Sequence, residues 1–334
     1  MAAPIPFRND SASGPDMDMT EHPLRPRFEP ATARRKRASV RAHLLLPLAM
    51  LASQAPAAHA SVHAIPAAGG VADVPESVVQ GGLLQACAPG ARSLQLLSGD
   101  SATPVRLAPD GGFVVGVGRD DASPLRLRAH YDDGATRDWS IAIKPRAWRF
   151  EKIEGVPEAT VNPPPEIAAR IGREQAEVAA ARIRDDARED YATGFDWPVH
   201  GRVSGVYGSQ RIYNGTPKSP HSGLDVAVPT GTPIHAPAAG IVTFARPDLY
   251  LTGGTVLVDH GHGLSSNFLH MSRIDVQVGQ RVEKGAELGL VGMTGRATGP
   301  HMHWGMNWFS TRIDPALLLP TGDPAAGAAA APLQ

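Results

Sequence analysis

From about Val71 to Pro145 the chain runs in short apolar stretches broken by turn signals. Leu94 to Leu97 ends at Ser98-Gly99-Asp100, Phe113 to Val117 follows Asp110-Gly111-Gly112, and Trp139 to Ile143 follows Asp132-Asp133-Gly134. Leu125-Arg126-Leu127-Arg128 alternates apolar and charged, as a half-buried strand does because successive side chains point to opposite faces. Strands at this spacing with Asp-Gly turns predict a small antiparallel β-sandwich over 71–148.

Asn162-Pro163-Pro164-Pro165 breaks that pattern, and Glu166 to about Tyr191 is rich in Ala, Arg and Glu with Gly172 its only glycine. A connector helix over 163–191 is predicted. Ile167, Ile171, Val178 and Ile183 give it a narrow apolar stripe, and Arg170/Glu174, Arg173/Glu177 and Arg182/Asp186 pair opposite charges at i, i+4. Such a helix is a solvated connector docked by one edge; docked beside a groove, it would narrow it.

From Trp197 the pattern returns to strands, in a block over 196–320. Gly201 to Gly208 alternates, a polar loop over Ser209 to Pro220 follows, and Ile234 to Phe244 and Thr255 to Asp259 are further strands. Asp259-His260-Gly261-His262-Gly263 is a turn by composition.

Before all of this, residues 1 to about 33 lack periodicity and read as disordered. Arg34-Arg35-Lys36-Arg37, the apolar run His43 to Leu51 and Ala-Pro-Ala-Ala-His-Ala at 55–60 form a secretory signal peptide within 1–60, with cleavage expected after Ala60. The long polar lead admits a start at Met17 or Met19 instead. The run is interrupted by Pro47 and is too short to span a bilayer, so no membrane span remains after cleavage, and an exported, periplasmic or envelope-associated protein is expected. The Ala-rich tail over 323–334 reads as disordered.

Composition removes several classes. Lys+Arg 32 against Asp+Glu 33 leaves no basic excess for nucleic acid. The single cysteine, Cys87, excludes an internal disulfide framework and a Cys-rich zinc site, and is expected to be a buried apolar residue. Candidate chemistry therefore rests on histidine. His221 and Asp225 are four apart and His301 and His303 two apart, spacings that put each pair on one face of an extended segment. Strands bearing these pairs, laid side by side, would gather imidazoles and a carboxylate at one point, a donor set suited to zinc. His270, on the predicted strand Ser265 to Met271, shares a face with Phe268 by the same alternation. A second His-x-His, His260 and His262, has the same spacing but sits in a Gly-rich turn expected to be mobile. His200 and His235 are isolated, and no His-Glu dipeptide is present to supply the base of an H-E-x-x-H site.

His221-Ser222-Gly223-Leu224-Asp225, Phe268-Leu269-His270-Met271-Ser272 and Gly295 to Trp304 with His301-Met302-His303 resemble the H-x-x-x-D, catalytic-histidine and H-x-H motifs of the M23 family, the LytM/lysostaphin-type zinc peptidases, over about 196–320. The resemblance implies a mainly β protein: a LytM-type antiparallel β catalytic domain behind the sandwich, which itself looks like an Ig-like accessory domain, and the connector helix. It implies one zinc ion per chain held by His221, Asp225 and His303, with His301 as general base and His270 assisting that step or stabilising the oxyanion. Asn214 is a candidate occluding fourth ligand. The implied activity is endopeptidase cleavage of peptidoglycan peptide crosslinks; the alternative is a catalytically silent scaffold of the same fold that activates cell-wall amidases. The cadence Val278-Gly279-Gln280-Arg281-Val282-Glu283-Lys284-Gly285 is shared with lipoyl and biotinyl carriers, but no lysine stands between two hydrophobic residues as a carrier requires.

Overall fold

A computed structural model describes residues 72–155 and 163–320. The signal peptide, the alternative start and the Ala-rich tail lie outside those residues. Among the described residues no helix is long and apolar enough to cross a membrane.

The N-terminal part contains seven strands: β1 Ser77–Val79, β2 Leu83–Cys87, β3 Ala91–Ser98, β4 Ser101–Val105, β5 Gly112–Gly116, β6 Leu125–Tyr131 and β7 Thr136–Lys144. They form a five-stranded sheet in the order β1-β7-β6-β3-β4 and a β2-β5 pair. Its pairings are antiparallel except β1 on β7, which is parallel. Leu84, Leu94, Phe113, Val115, Leu127 and Ile141 are buried together, while Arg128 points outward to Asp138 at 2.7 Å. Cys87 is free and buried, as its composition suggested. β5 is buried on both faces because its outer side meets the C-terminal part: a Cβ at Gly116 would lie 2.5 Å from Trp308 Cβ. The contact is pinned by Arg146 Nη2 to Asp314 Oδ2 at 2.8 Å and by Arg119 Nε donating to Gly208 O at 2.8 Å.

β8 (Phe150–Ile153) leaves the sandwich and pairs in parallel with β10. The C-terminal part continues with α1 (Pro165–Ala180), β9 (Arg202–Gly205), β10 (Gln210–Tyr213), β11 (Thr216–Pro217), β12 (Gly223–Ala227), β13 (Pro233–His235), β14 (Gly240–Leu249) and β15 (Gly253–Gly261). β16 (Leu264–Met271), β17 (Arg273–Ile274), β18 (Arg281–Val282), β19 (Glu287–Leu290), β20 (Met302–Trp308) and β21 (Thr311–Ile313) complete it. The polar loop expected over 209–220 is instead the β10–β11 hairpin, turning through Asn214 and Gly215 at φ 48 and 77. Asn-Gly is the residue pair that a turn with two positive φ values selects, and β8 supplies the distant edge that completes the pairing.

The main sheet runs β18-β14-β15-β16-β20-β12-β9, with β21 on β20. Directly opposed residues of an antiparallel ladder share a face. Leu224 opposite Trp304, and Phe268 opposite the same Trp304, therefore point into the core with Val226, Val256, Val258, Met302 and Met306, all fully buried. Asp225 opposite His303, and Leu269 opposite His303, fall on the other face.

The connector helix is shorter than predicted. α1 stops at Ala180, and Asp190–Thr193 forms a separate 3-10 turn. Ile167, Ile171, Glu174 and Val178 make its docking edge, whereas Ile183 is 75% exposed and outside it. Only Arg170/Glu174 of the predicted pairs forms, at 2.7 Å; Glu177 bonds Arg246, and Asp186 bonds Arg184 and Arg188. Arg188 also meets Asp190 and Asp259. The Arg188–Asp259 pair, with His262 N–H donating to Asp186 O at 2.9 Å, holds the segment after Ala180 extended against its helical propensity.

Candidate metal centre

Asp225 stands on β12 directly opposite His303 on β20, and His221 precedes β12. His221 Nε2, Asp225 Oδ1 and His303 Nδ1 converge: the two histidine nitrogens lie 3.1 and 2.8 Å from the carboxylate oxygen and 3.1 Å from one another. Ligand atoms of a tetrahedral zinc at about 2.0–2.1 Å are about 3.3 Å apart, so the triangle needs to open by only a few tenths of an ångström. His221 Nδ1 donates to Val206 O at 3.0 Å, which in the neutral ring leaves the Nε2 lone pair facing inward. The donor set fits a divalent zinc ion.

Electrostatics agree with that chemistry. Burial works against its charge, yet hydrogen bonds from His221 and His303 hold the Asp225 carboxyl far below the usual range, so it is ionised. Burial would lower His221, but the hydrogen bond to Asp225 outweighs it and its pKa is raised. At His303 burial wins and the pKa falls.

His301 and His270 border the triangle. His301 Nδ1 donates to Gly299 O at 2.8 Å, and Nε2 lies 3.9 Å from Asp225 Oδ1. The rings of His270 and His301 are 4.8 Å apart, and His270 and His303 6.5 Å. His270 Nδ1 donates to Thr294 O at 2.8 Å, and burial drives its pKa down to about 4, so it is neutral at neutral pH. The alternation expected to put His270 on the face of Phe268 does not hold. Phe268 is in the core, and His270 adopts φ 63, a left-handed conformation that turns it to the face of His303. Its N–H bonds Thr252 O at 2.8 Å, and the Thr294 loop packs so closely that a Cβ on Gly253 would lie 2.1 Å from Thr294 Oγ1. Sequence reading had no signal for these carbonyl anchors at Val206, Gly299 and Thr294.

The rival pair is structural. His260 and His262 are buried rather than on a mobile turn: His260 pairs with Ala239 O at 2.7 Å and Ser266 Oγ at 2.8 Å, and His262 with the Tyr191 hydroxyl at 3.2 Å. His200 and His235 are exposed. Asn214 sits at the β10–β11 turn with its N–H on Ile153 O at 3.0 Å.

An antiparallel sheet offering a His/Asp/His triangle flanked by two oriented histidines defines a metallohydrolase-type centre. The family model described as Peptidase family M23 matches residues 219–315, a span that contains all five residues. A crystal structure of a putative peptidase M23 from Pseudomonas aeruginosa superposes with a TM-score of 0.55 at 36% identity, covering 72% of this chain and 94% of that one. The chain belongs to peptidase family M23, a family of zinc metallopeptidases. Over 104 residues it is 39% identical to the peptidoglycan DD-endopeptidase ShyA of Vibrio cholerae, covering 31% of this chain and 24% of that protein. Over 166 residues it is 32% identical to the cell division protein DipM of Caulobacter vibrioides, covering 48% of this chain and 26% of that one. The chain thus spans about a quarter of the length of these curated relatives.

Proposed function

We propose that this chain is an exported zinc endopeptidase that cuts the peptide crosslinks of peptidoglycan, with one zinc ion per chain on His221 Nε2, Asp225 Oδ1 and His303 Nδ1. The observation that carries the reading is the convergence of these three atoms beside two further histidines, each of which commits Nδ1 to a backbone carbonyl and keeps Nε2 for chemistry. A zinc ion bound there supplies a Lewis acid for the scissile carbonyl and brings the pKa of a water to about 7. His301 Nε2 takes the proton of the attacking water and then delivers it to the leaving amine, acting as base and then acid. His270 has its pKa depressed by burial, which disfavours an imidazolium that would face an oxyanion; it serves as a second neutral acceptor that orients the water. The substrate is supported by the likeness to ShyA, which is named for that activity, and envelope localisation by the signal-peptide pattern. A silent scaffold is disfavoured because every ligand and base position is filled.

The test combines metal content with crosslink release from sacculi. The purified wild type should carry one zinc and release crosslinks. His301→Ala should keep the zinc and lose roughly two to four decades of rate, and His303→Ala should lose the zinc. Zinc bound without release would favour the scaffold; release undiminished in zinc-free protein would defeat the metal reading.

A further inference from the structure

Next to the triangle, on the same face of the sheet, β15, β16 and β20 together with α1 enclose a cavity of about 540 Å³. Leu269, opposite His303, and Ser222, beside His221, are among its lining residues, so it borders the metal centre. Its floor is polar where the opposite face of the sheet is apolar: Thr255, Asn267 and Asn307 are buried there. Gly305 makes room for this, since a Cβ at that position would lie 2.6 Å from Asn267 Nδ2.

Two arginines line the cavity, Arg182 just past the end of α1 and Arg312 on β21. Arg182 lacks the partner that a buried guanidinium needs. Its Nε is buried with no hydrogen-bond partner, and among the described residues no carboxylate pairs with it. Asp186, four residues on, is committed to Arg184 and Arg188. Glu174, the acid in the lining, has Oε1 on Arg170 Nε at 2.7 Å and Oε2 on Tyr250 N at 2.8 Å. Burial, with Arg312 adding repulsion, lowers the Arg182 pKa to about 10, still cationic at neutral pH. Asn307 Nδ2 is a second buried donor without a partner. Unspent donors and uncompensated positive charge in a cavity are complementary to a planar carboxylate, which a guanidinium grips with two parallel hydrogen bonds.

We propose that this cavity is a carboxylate-binding subsite, in which Arg182, with Arg312 and Asn307, holds a free carboxylate of the substrate peptide while the scissile bond lies at the metal centre. The proposal rests on the endopeptidase reading and adds a specificity: the chain prefers crosslinked peptides bearing free carboxylates over the same peptides amidated.

The experiment uses the full zinc-loaded chain and two probes, a crosslinked muropeptide dimer and the same dimer with its carboxylates converted to primary amides. Wild type should cut the acid form with a KM about ten- to a hundredfold lower than the amide form. Arg182→Met should bring that ratio close to one at unchanged zinc content, and Arg312→Gln should reduce it partially. Because Arg182 has no protein partner to lose, Arg182→Met should also melt no lower than wild type, whereas an arginine with a structural role would show a clear loss. Calorimetric titration of both dimers into His301→Ala protein separates the two readings. If wild type cuts neither dimer, the endopeptidase reading fails, and the subsite stands only if the acid form still binds more tightly and Arg182→Met removes the difference. Equal handling of both dimers by wild type, a ratio that survives Arg182→Met, or unfolding of Arg182→Met would overturn the proposal.

Discussion

Removing Arg146 tests whether the N-terminal part is fastened to the peptidase domain by one buried ion pair. The Asp314 side chain is 1% exposed and that of Arg146 16%, and their 2.8 Å contact joins residues far apart in sequence. Arg146→Met keeps most of the aliphatic stem but leaves Asp314 Oδ2 without its cation. Breaking a buried pair from one side costs about 3–5 kcal/mol. Asp314 Oδ1 retains the Ala316 N–H at 3.0 Å, so the low end, about 3 kcal/mol, applies. That corresponds to a fall in Tm of about 6–12 °C for a unit of this size. Burial already raises the Asp314 pKa, with Arg146 pulling it back, so it rises further in the variant. An acid whose folded pKa lies above its unfolded value contributes stability at low pH that is lost as pH climbs through the folded value. The deficit should therefore be smaller at pH 5 than at pH 8. Urea unfolding followed by tryptophan fluorescence, on wild type, Arg146→Met, Asp314→Asn and the double variant, measures both effects. The double variant should recover about 1–3 kcal/mol relative to the sum of the singles. Additive losses, or the same deficit at both pH values, would refute the reasoning.

His260 is fully buried and neutral, with its pKa lowered to about 4 by burial. Between the ordinary value and 4 the unfolded chain binds the extra proton, so stability should fall by up to about 3 kcal/mol as pH drops through that window, and His260→Gln should flatten that limb in acid-unfolding curves. Gly253 has φ +58 beneath Thr294, so Gly253→Ala should displace the carbonyl that orients His270 and reduce kcat at least about tenfold with zinc content retained; wild-type kcat in that variant would exclude the anchoring role. Glu174→Ala with Val178→Ser loosens α1 from the sheet, and it should raise the rate on intact sacculi relative to soluble dimers; an unchanged ratio would show that the helix does not narrow the groove.

Chemistry-bearing residue types and local periodicity were legible in the chain. The sandwich strands, the alternation of the peptidase strands, and the pairs His221/Asp225 and His301/His303 all follow from the period of an extended backbone, which each short segment carries within itself. What tertiary structure alone decided is which of the chemically equivalent residues meet. His260-His262 has the same spacing as His301-His303, yet the ladder placed it under the 3-10 turn and Arg188, where both rings are buried, His260 between Ala239 O and Ser266 Oγ and His262 against the Tyr191 hydroxyl. The left-handed backbone at His270 reversed the face that alternation assigned to it. Beyond Ala180, ion pairs to a distant strand ended a helix that local propensity would have continued, and thereby left Arg182 over the sheet without its expected partner. Each of these outcomes depends on contacts between segments tens of residues apart, and no local pattern encodes them.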